Sequence, residues 1–121
     1  MKKSIVVVED FNTSRQIIKK TLERLGYSVI EASDGREALK FFDGDPVDMV
    51  ISDFNMPNMD GASLIEYIRS KEQFKYIPIF MLSTETNESK QQRAKDAKIT
   101  AWIRKPFEIA EFSKMIQKAL L

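Results

Sequence analysis

Five short apolar runs punctuate the chain, at 5–8, 27–32, 47–52, 77–83 and 101–103. Their apolar character is continuous rather than alternating, as in strands buried on both faces, which a parallel sheet covered by helices requires. The stretches between them carry the spacing of amphipathic helices. Ile18, Leu22 and Leu25 form an i, i+4, i+7 stripe, with Asn12, Thr13 or Ser14 available as a cap. Ala38, Leu39 and Phe42 form a second stripe, and Leu64, Ile65 and Ile68 a third. The last stripe is Ile109, Phe112, Met115, Ile116 and Ala119. The segment 87–97 offers a core only Ala94 and Ala97, so a weakly anchored helix is predicted there, able to shift at small energetic cost.

Five such β/α repeats predict a doubly wound α/β fold: a five-stranded parallel sheet, right-handed crossovers, and helices on both faces. The linkers hold ordinary turn chemistry, including Gly26, Gly35 and Gly44-Asp45-Pro46, and no internal repeat or interdomain linker interrupts them. The 121 residues are read as a single domain, 1–121. Functional crevices in such sheets lie at the carboxyl ends of the strands.

Composition narrows the chemistry. Nineteen Lys and Arg against eighteen Asp and Glu leave a net charge of +1, too balanced for a protein whose partner is a nucleic-acid backbone or an anionic membrane. The chain has no cysteine and no histidine, which removes disulfides, thiolate nucleophiles and imidazole bases or ligands. Chemistry is left to carboxylates, hydroxyls and amines. The apolar run at 5–8 is too short for a signal-peptide core or a membrane span, so the expected compartment is the cytoplasm.

Glu9-Asp10 close the first strand, Asp53 the third and Ser83-Thr84 the fourth, while the fifth runs into Lys105-Pro106. Each residue alone has an ordinary explanation: Asp53 bonding local backbone, Glu9-Asp10 capping a helix, Ser83 and Lys105 meeting solvent. Together they bring three carboxylates, a hydroxyl and an ammonium into one crevice. Massed carboxylates repel, and a hard divalent cation such as Mg²⁺ resolves the conflict. Asp53 is then placed as a nucleophile toward a phosphoryl group whose other oxygens meet Ser83 and Lys105.

The segments 5–10 (IVVVED), 49–61 (MVISDFNMPNMDG), 79–84 (IFMLST) and 102–107 (WIRKPF) resemble, in order and over essentially the whole chain, a receiver domain of two-component response regulators, in outline a CheY-like stand-alone regulator. The resemblance implies strand order 2-1-3-4-5, Asp53 as phosphoacceptor, Asp10 as a ligand of one Mg²⁺ ion, Glu9 acting through metal-bound water, and the Asn55 carbonyl as a further ligand. It further implies Ser83 and Trp102 as switch residues, Lys105 as the phosphate-pairing lysine, and the side chains of Asn55 and Glu85 as tuners of dephosphorylation. A cis Lys105–Pro106 bond is implied too. Lys98 stands where a glycine commonly closes the fourth helix, so a left-handed backbone or a different turn is expected.

The implied function is a signalling switch rather than an enzyme. A histidine kinase or phosphotransfer protein donates to Asp53, and a target such as a flagellar motor or relay component binds the face of the fourth helix, fifth strand and fifth helix. A monomer is expected, and with no output domain after Leu121, effects pass through protein contacts. Three other readings compete. A haloacid dehalogenase-type phosphatase needs a second Asp where Asn55 stands. A flavodoxin-like binder needs a phosphate loop where Glu9 and Asp10 put two negative charges. An interaction module with a vestigial site would use the cations of the second half for docking and would fail to take a phosphoryl group.

Overall fold

A computed structural model describes residues 2–121, in which strands and helices alternate: β1 (Ser4–Val8), α1 (Asn12–Arg24), β2 (Ser28–Ala32), α2 (Gly35–Leu39), β3 (Met49–Asp53), α3 (Gly61–Ser70), β4 (Ile79–Ser83), α4 (Glu88–Asp96), β5 (Ala101–Arg104) and α5 (Ile109–Ala119). All strand pairs are parallel, in the order β2-β1-β3-β4-β5. The doubly wound reading and its strand order are therefore correct.

The continuous apolar runs serve two cores at once. Val6 and Val8 of β1, Val50 of β3 and Met81 of β4 face one core with α2, α3 and α4. Ile5 and Val7, Met49 and Ile51, and Phe80 and Leu82 face the other, with Ile18 and Leu22 of α1 and Phe112 and Ile116 of α5. Only β1, β3 and β4 match the expectation of burial on both faces. β2 and β5 are the sheet edges, so Ser28 and Arg104 are exposed and Val29, Ile30 and Trp102 are partly covered.

Other expectations need correction. None of Asn12, Thr13 or Ser14 caps α1; Phe11 holds that position without a side-chain bond, while Asn12 Oδ1 accepts from Arg15 Nη2 at 3.0 Å. The second helix stops at Leu39, and a 3-10 turn over Lys40–Phe42 completes it, seating Phe42 edge-on against Phe74 at 5.2 Å. In α5, Ile109 and Met115 are 49% and 37% exposed, because they lie off the face that carries Phe112 and Ile116. As read from the sequence, α4 buries little, and Ala94 is its one buried residue. Lys98 after it has φ 73°, and the Lys105–Pro106 bond is cis.

Two arginines supply the attachment that α4 lacks in apolar contact. Arg93 donates to Asp60 Oδ2 and Ser63 Oγ at 2.8 Å, tying α4 to the start of α3. Arg69, near the end of α3, donates to the carbonyls of Phe74 and Ile77 and, through Nε and Nη2, to Lys98 O at 3.1 and 2.9 Å. The turn after α4 is thereby fastened to α3.

Gly61 opens α3 directly behind Asp53, where a Cβ would lie 2.7 Å from Asp53 O and 2.9 Å from Met81 Sδ. Gly61→Ala should cost about 1–3 kcal/mol, the usual range for overpacking, as measured by denaturant unfolding. Unchanged stability would show that the β3–α3 connection yields freely.

Candidate functional site

The strand register sets the site. Val8 pairs with Ser52, so Glu9 and Asp53 emerge level from adjacent strands. Asp53 pairs with Leu82 and Ser83 with Arg104, which brings Ser83 and then Lys105 to the same edge. One carboxylate oxygen each from Glu9, Asp10 and Asp53 lies within 4.8 Å of the others, the three-carboxylate cluster read from the sequence. Glu9 is buried, Asp53 half-buried and Asp10 exposed at the opening.

Lys105 is the positive charge in the crevice. Its Nζ lies 3.1 Å from Glu9 Oε2 and 3.4 Å from Asp53 Oδ1. Glu9 Oε1 accepts the Phe11 N–H at 3.3 Å, and Asp53 Oδ1 accepts the Phe54 N–H at 3.0 Å. The local backbone bond that would explain Asp53 on its own therefore exists alongside the cluster. Burial and the charge of Glu9 push the Asp53 carboxyl up to about 6, against the opposing pull of Lys105 and the Phe54 N–H. This gathering of negative charge, with oxygen donors only at the cluster and neither cysteine nor histidine in the chain, fits a hard divalent cation.

The remaining predicted residues stand around this centre. Ser83 is buried, its Oγ accepting the Glu85 N–H at 2.9 Å, and its O–H hydrogen is still available to donate. Asn55 is exposed two residues past Asp53. The Glu85 carboxyl is held below its ordinary range by bonds from the Asn87 N–H and Lys90. Trp102 is not in the crevice. It packs on Phe54, with ring centroids 5.5 Å apart, in the core beneath α4.

The tethers of the 54–60 loop escaped the sequence reading. Asp34 caps α2 through one oxygen and receives Asn58 Nδ2 on the other at 2.9 Å; Asp60 caps α3 through Oδ1 and holds Arg93 on Oδ2. An Asp ahead of a helix signals the cap, but nothing local signals the second partner.

The model for the response regulator receiver domain matches residues 5–117. The chain belongs to this family. The receiver is 43% identical to chemotaxis protein CheY1 of Helicobacter pylori over 105 residues, 85% of each chain. It superposes on the crystal structure of Vibrio cholerae CheY4 with a TM-score of 0.91 and 38% identity, covering 99% of this chain and 100% of that one. A third relative is the receiver domain of the Pseudomonas aeruginosa sensor histidine kinase PA1611, solved with a magnesium ion in its active-site cleft. It shows a TM-score of 0.90 and 27% identity over 99% of this receiver and 98% of that chain. Among the described residues, no helix is long and apolar enough to cross a membrane.

The raised Asp53 carboxyl has a consequence for stability. Between pH 4 and 6 the folded receiver binds more protons than the unfolded chain, so this group's contribution to stability falls as pH rises through that window. Asp53→Asn should stabilise the metal-free protein at pH 7 by about 2 kcal/mol, a figure discounted for the solvent reaching the crevice. The gain should vanish by pH 4 in thermal or denaturant unfolding. A gain that persisted at pH 4 would trace to packing rather than charge.

Proposed function

We propose that this receiver, acting as one unit over 1–121, is a phosphorylation-operated switch in which Asp53 takes a phosphoryl group from a partner's phosphohistidine. The observation that carries the reading is the convergence of Glu9, Asp10 and Asp53 on one another with Lys105 between Glu9 and Asp53. An Asp53 carboxylate oxygen attacks phosphorus, the P–N bond breaks as the P–O bond forms, and the departing imidazole keeps the electron pair and takes up a proton. The product is an acyl phosphate on Asp53.

Mg²⁺ would be held by Asp10, Asp53 and the Asn55 carbonyl, with Glu9 acting through water, and it would supply neutralisation of the negative charge that gathers on transfer. The magnesium of the PA1611 receiver supports this assignment. Glu9 is buried against Lys105 and the Phe11 N–H, whereas Asp10 stands at the opening, which favours Asp10 as the direct ligand. Lys105 pairs with the arriving phosphoryl oxygens, and the Ser83 O–H donates to one of them. Asn55 and Glu85, one following β3 and the other β4, govern the approach of the water that later hydrolyses the acyl phosphate.

The donor must come from outside, because the chain has no histidine. An apolar groove of about 500 Å³ beside the crevice, lined by Ile17, Ile18, Pro106, Phe107 and Ile109, suits docking of a histidine kinase or phosphotransfer protein. The output is a changed affinity of the α4-β5-α5 face for a target protein, as in a chemotaxis or phosphorelay regulator, acting as a cytoplasmic monomer. The protein catalyses only its own phosphorylation and dephosphorylation. A dehalogenase-type phosphatase is disfavoured because the Asn55 amide cannot donate and retrieve a proton as a carboxyl group does.

Incubation with acetyl phosphate should add one phosphoryl mass to the protein only when Mg²⁺ is present, mapped to Asp53, and Asp53→Asn should abolish it. Equal labelling of parent and variant by intact mass would refute the assignment.

Trp102 gives a second readout. A phosphoryl group that recruits Ser83 draws the end of β4 inward and opens space beneath α4, biasing two pre-existing conformers. Trp102 emission should change with Mg²⁺ and beryllofluoride, and Ser83→Ala should blunt the change while Mg²⁺ still binds. Unmoved emission at saturation, with binding verified by calorimetry, would make Trp102 a packing residue.

A further inference from the structure

The peptide that joins Glu9 to Asp10 carries two of the three gathered carboxylates, and it lies just past the end of β1. Its N-terminal side is still in the sheet, with the Glu9 N–H donating to Ala32 O at 3.1 Å. Its carbonyl has left the ladder and meets Arg15, whose Nη1 donates to Glu9 O at 2.8 Å. The same guanidinium donates from Nε to Glu31 Oε1 at 3.1 Å and from Nη2 to Asn12 Oδ1 at 3.0 Å. Arg15 is only 16% exposed, so its geometry is set on three sides.

Glu31 is held in turn. It lies on β2 opposite Val7 of β1, and it also takes Gln16 Nε2 at 2.6 Å and Lys19 Nζ at 3.1 Å. Burial works to raise its carboxyl, and the bonds from Lys19, Arg15 and Gln16 outweigh burial and hold it below the ordinary range. It is thus a fixed anion on the strand beside the crevice. The guanidinium fork reaches from that anion to the Glu9 carbonyl, a task that needs planar, divergent donors and not merely a positive charge.

We propose that Arg15 is the positioning residue of the acidic crevice, bracing the Glu9–Asp10 peptide against β2 through Glu31 so that both carboxylates stay aimed at Asp53 despite their repulsion. Arg15 touches none of the reacting atoms. The proposal rests on the metal-site reading in one arm of its test only.

The first arm uses metal-free protein. In Arg15→Gln the Phe11 amide, bonded to Glu9 Oε1 in the brace, should exchange hydrogen about tenfold faster, while amides of β3 and β4 keep their protection. Uniform loss of protection, or no change at Phe11, would overturn the proposal. The second arm measures Mg²⁺ affinity by calorimetry. Arg15→Gln should weaken binding about tenfold, at the low end for groups that orient a metal's ligands, without changing the phosphorylation rate at saturating Mg²⁺. Arg15→Lys should fail to restore affinity, Glu31→Gln should give a smaller loss, and Lys19→Gln should give almost none. Full rescue by lysine, or an equal loss in Lys19→Gln, would show that general charge suffices and overturn the brace. If the parent protein binds no Mg²⁺, the metal-site reading fails while the exchange arm still decides the role of Arg15.

Discussion

Three carboxylates are held at one edge of a parallel sheet against their mutual repulsion, and the rest of the molecule is arranged around that constraint. The register of β1 and β3 brings Glu9 and Asp53 level, and Lys105 is the ammonium that reaches both. One ammonium stands against three carboxylates, and burial together with the charge of Glu9 keeps the Asp53 carboxyl well above its ordinary value. A centre left partly uncompensated binds cations readily and responds to added charge, which is what a signalling site requires. The cost in stability is borne by two apolar cores, one on each side of the sheet.

The parts expected to respond are those held least by burial. The 54–60 loop is fastened by Asp34 to Asn58 on one side and by Asp60 to Arg93 on the other, and α4 by the same Arg93. Exposed hydrogen bonds and ion pairs of this kind each contribute little in water. They fix position without adding much to the barrier for rearrangement, whereas the helices that flank β1 and β3 are seated by full aliphatic stripes.

Most of the fold was legible because a central strand of a doubly wound sheet must be apolar on both faces, and β1, β3 and β4 are. The edges were less so: the run at 27–32 looks like any other strand, and only the pairing shows that β2 has a single neighbour. The five chemical residues of the crevice could be read because each stands at or just past the end of a strand, and strand ends converge without any long-range information. Arg15, Asp34 and Asp60 could not, since each acts through a second bond to a residue 6 to 33 positions away. The α1 cap was misread on local grounds: Asn12 offers a capping oxygen, but the Arg15 guanidinium three residues on takes it.

Arg69 changes what kind of movement is open to α4. Its two bonds to Lys98 O pin the carboxyl end of the helix to α3, while the amino end, past Asn87, adjoins the loop that follows Ser83. A helix of this length is about 13 Å long. Held most firmly at that end, and tied along its length only by the exposed Arg93 bonds to Asp60 and Ser63, it has its natural fulcrum at Lys98. Any rotation about that fulcrum is largest at Asn87, the end of the helix that adjoins the loop after Ser83.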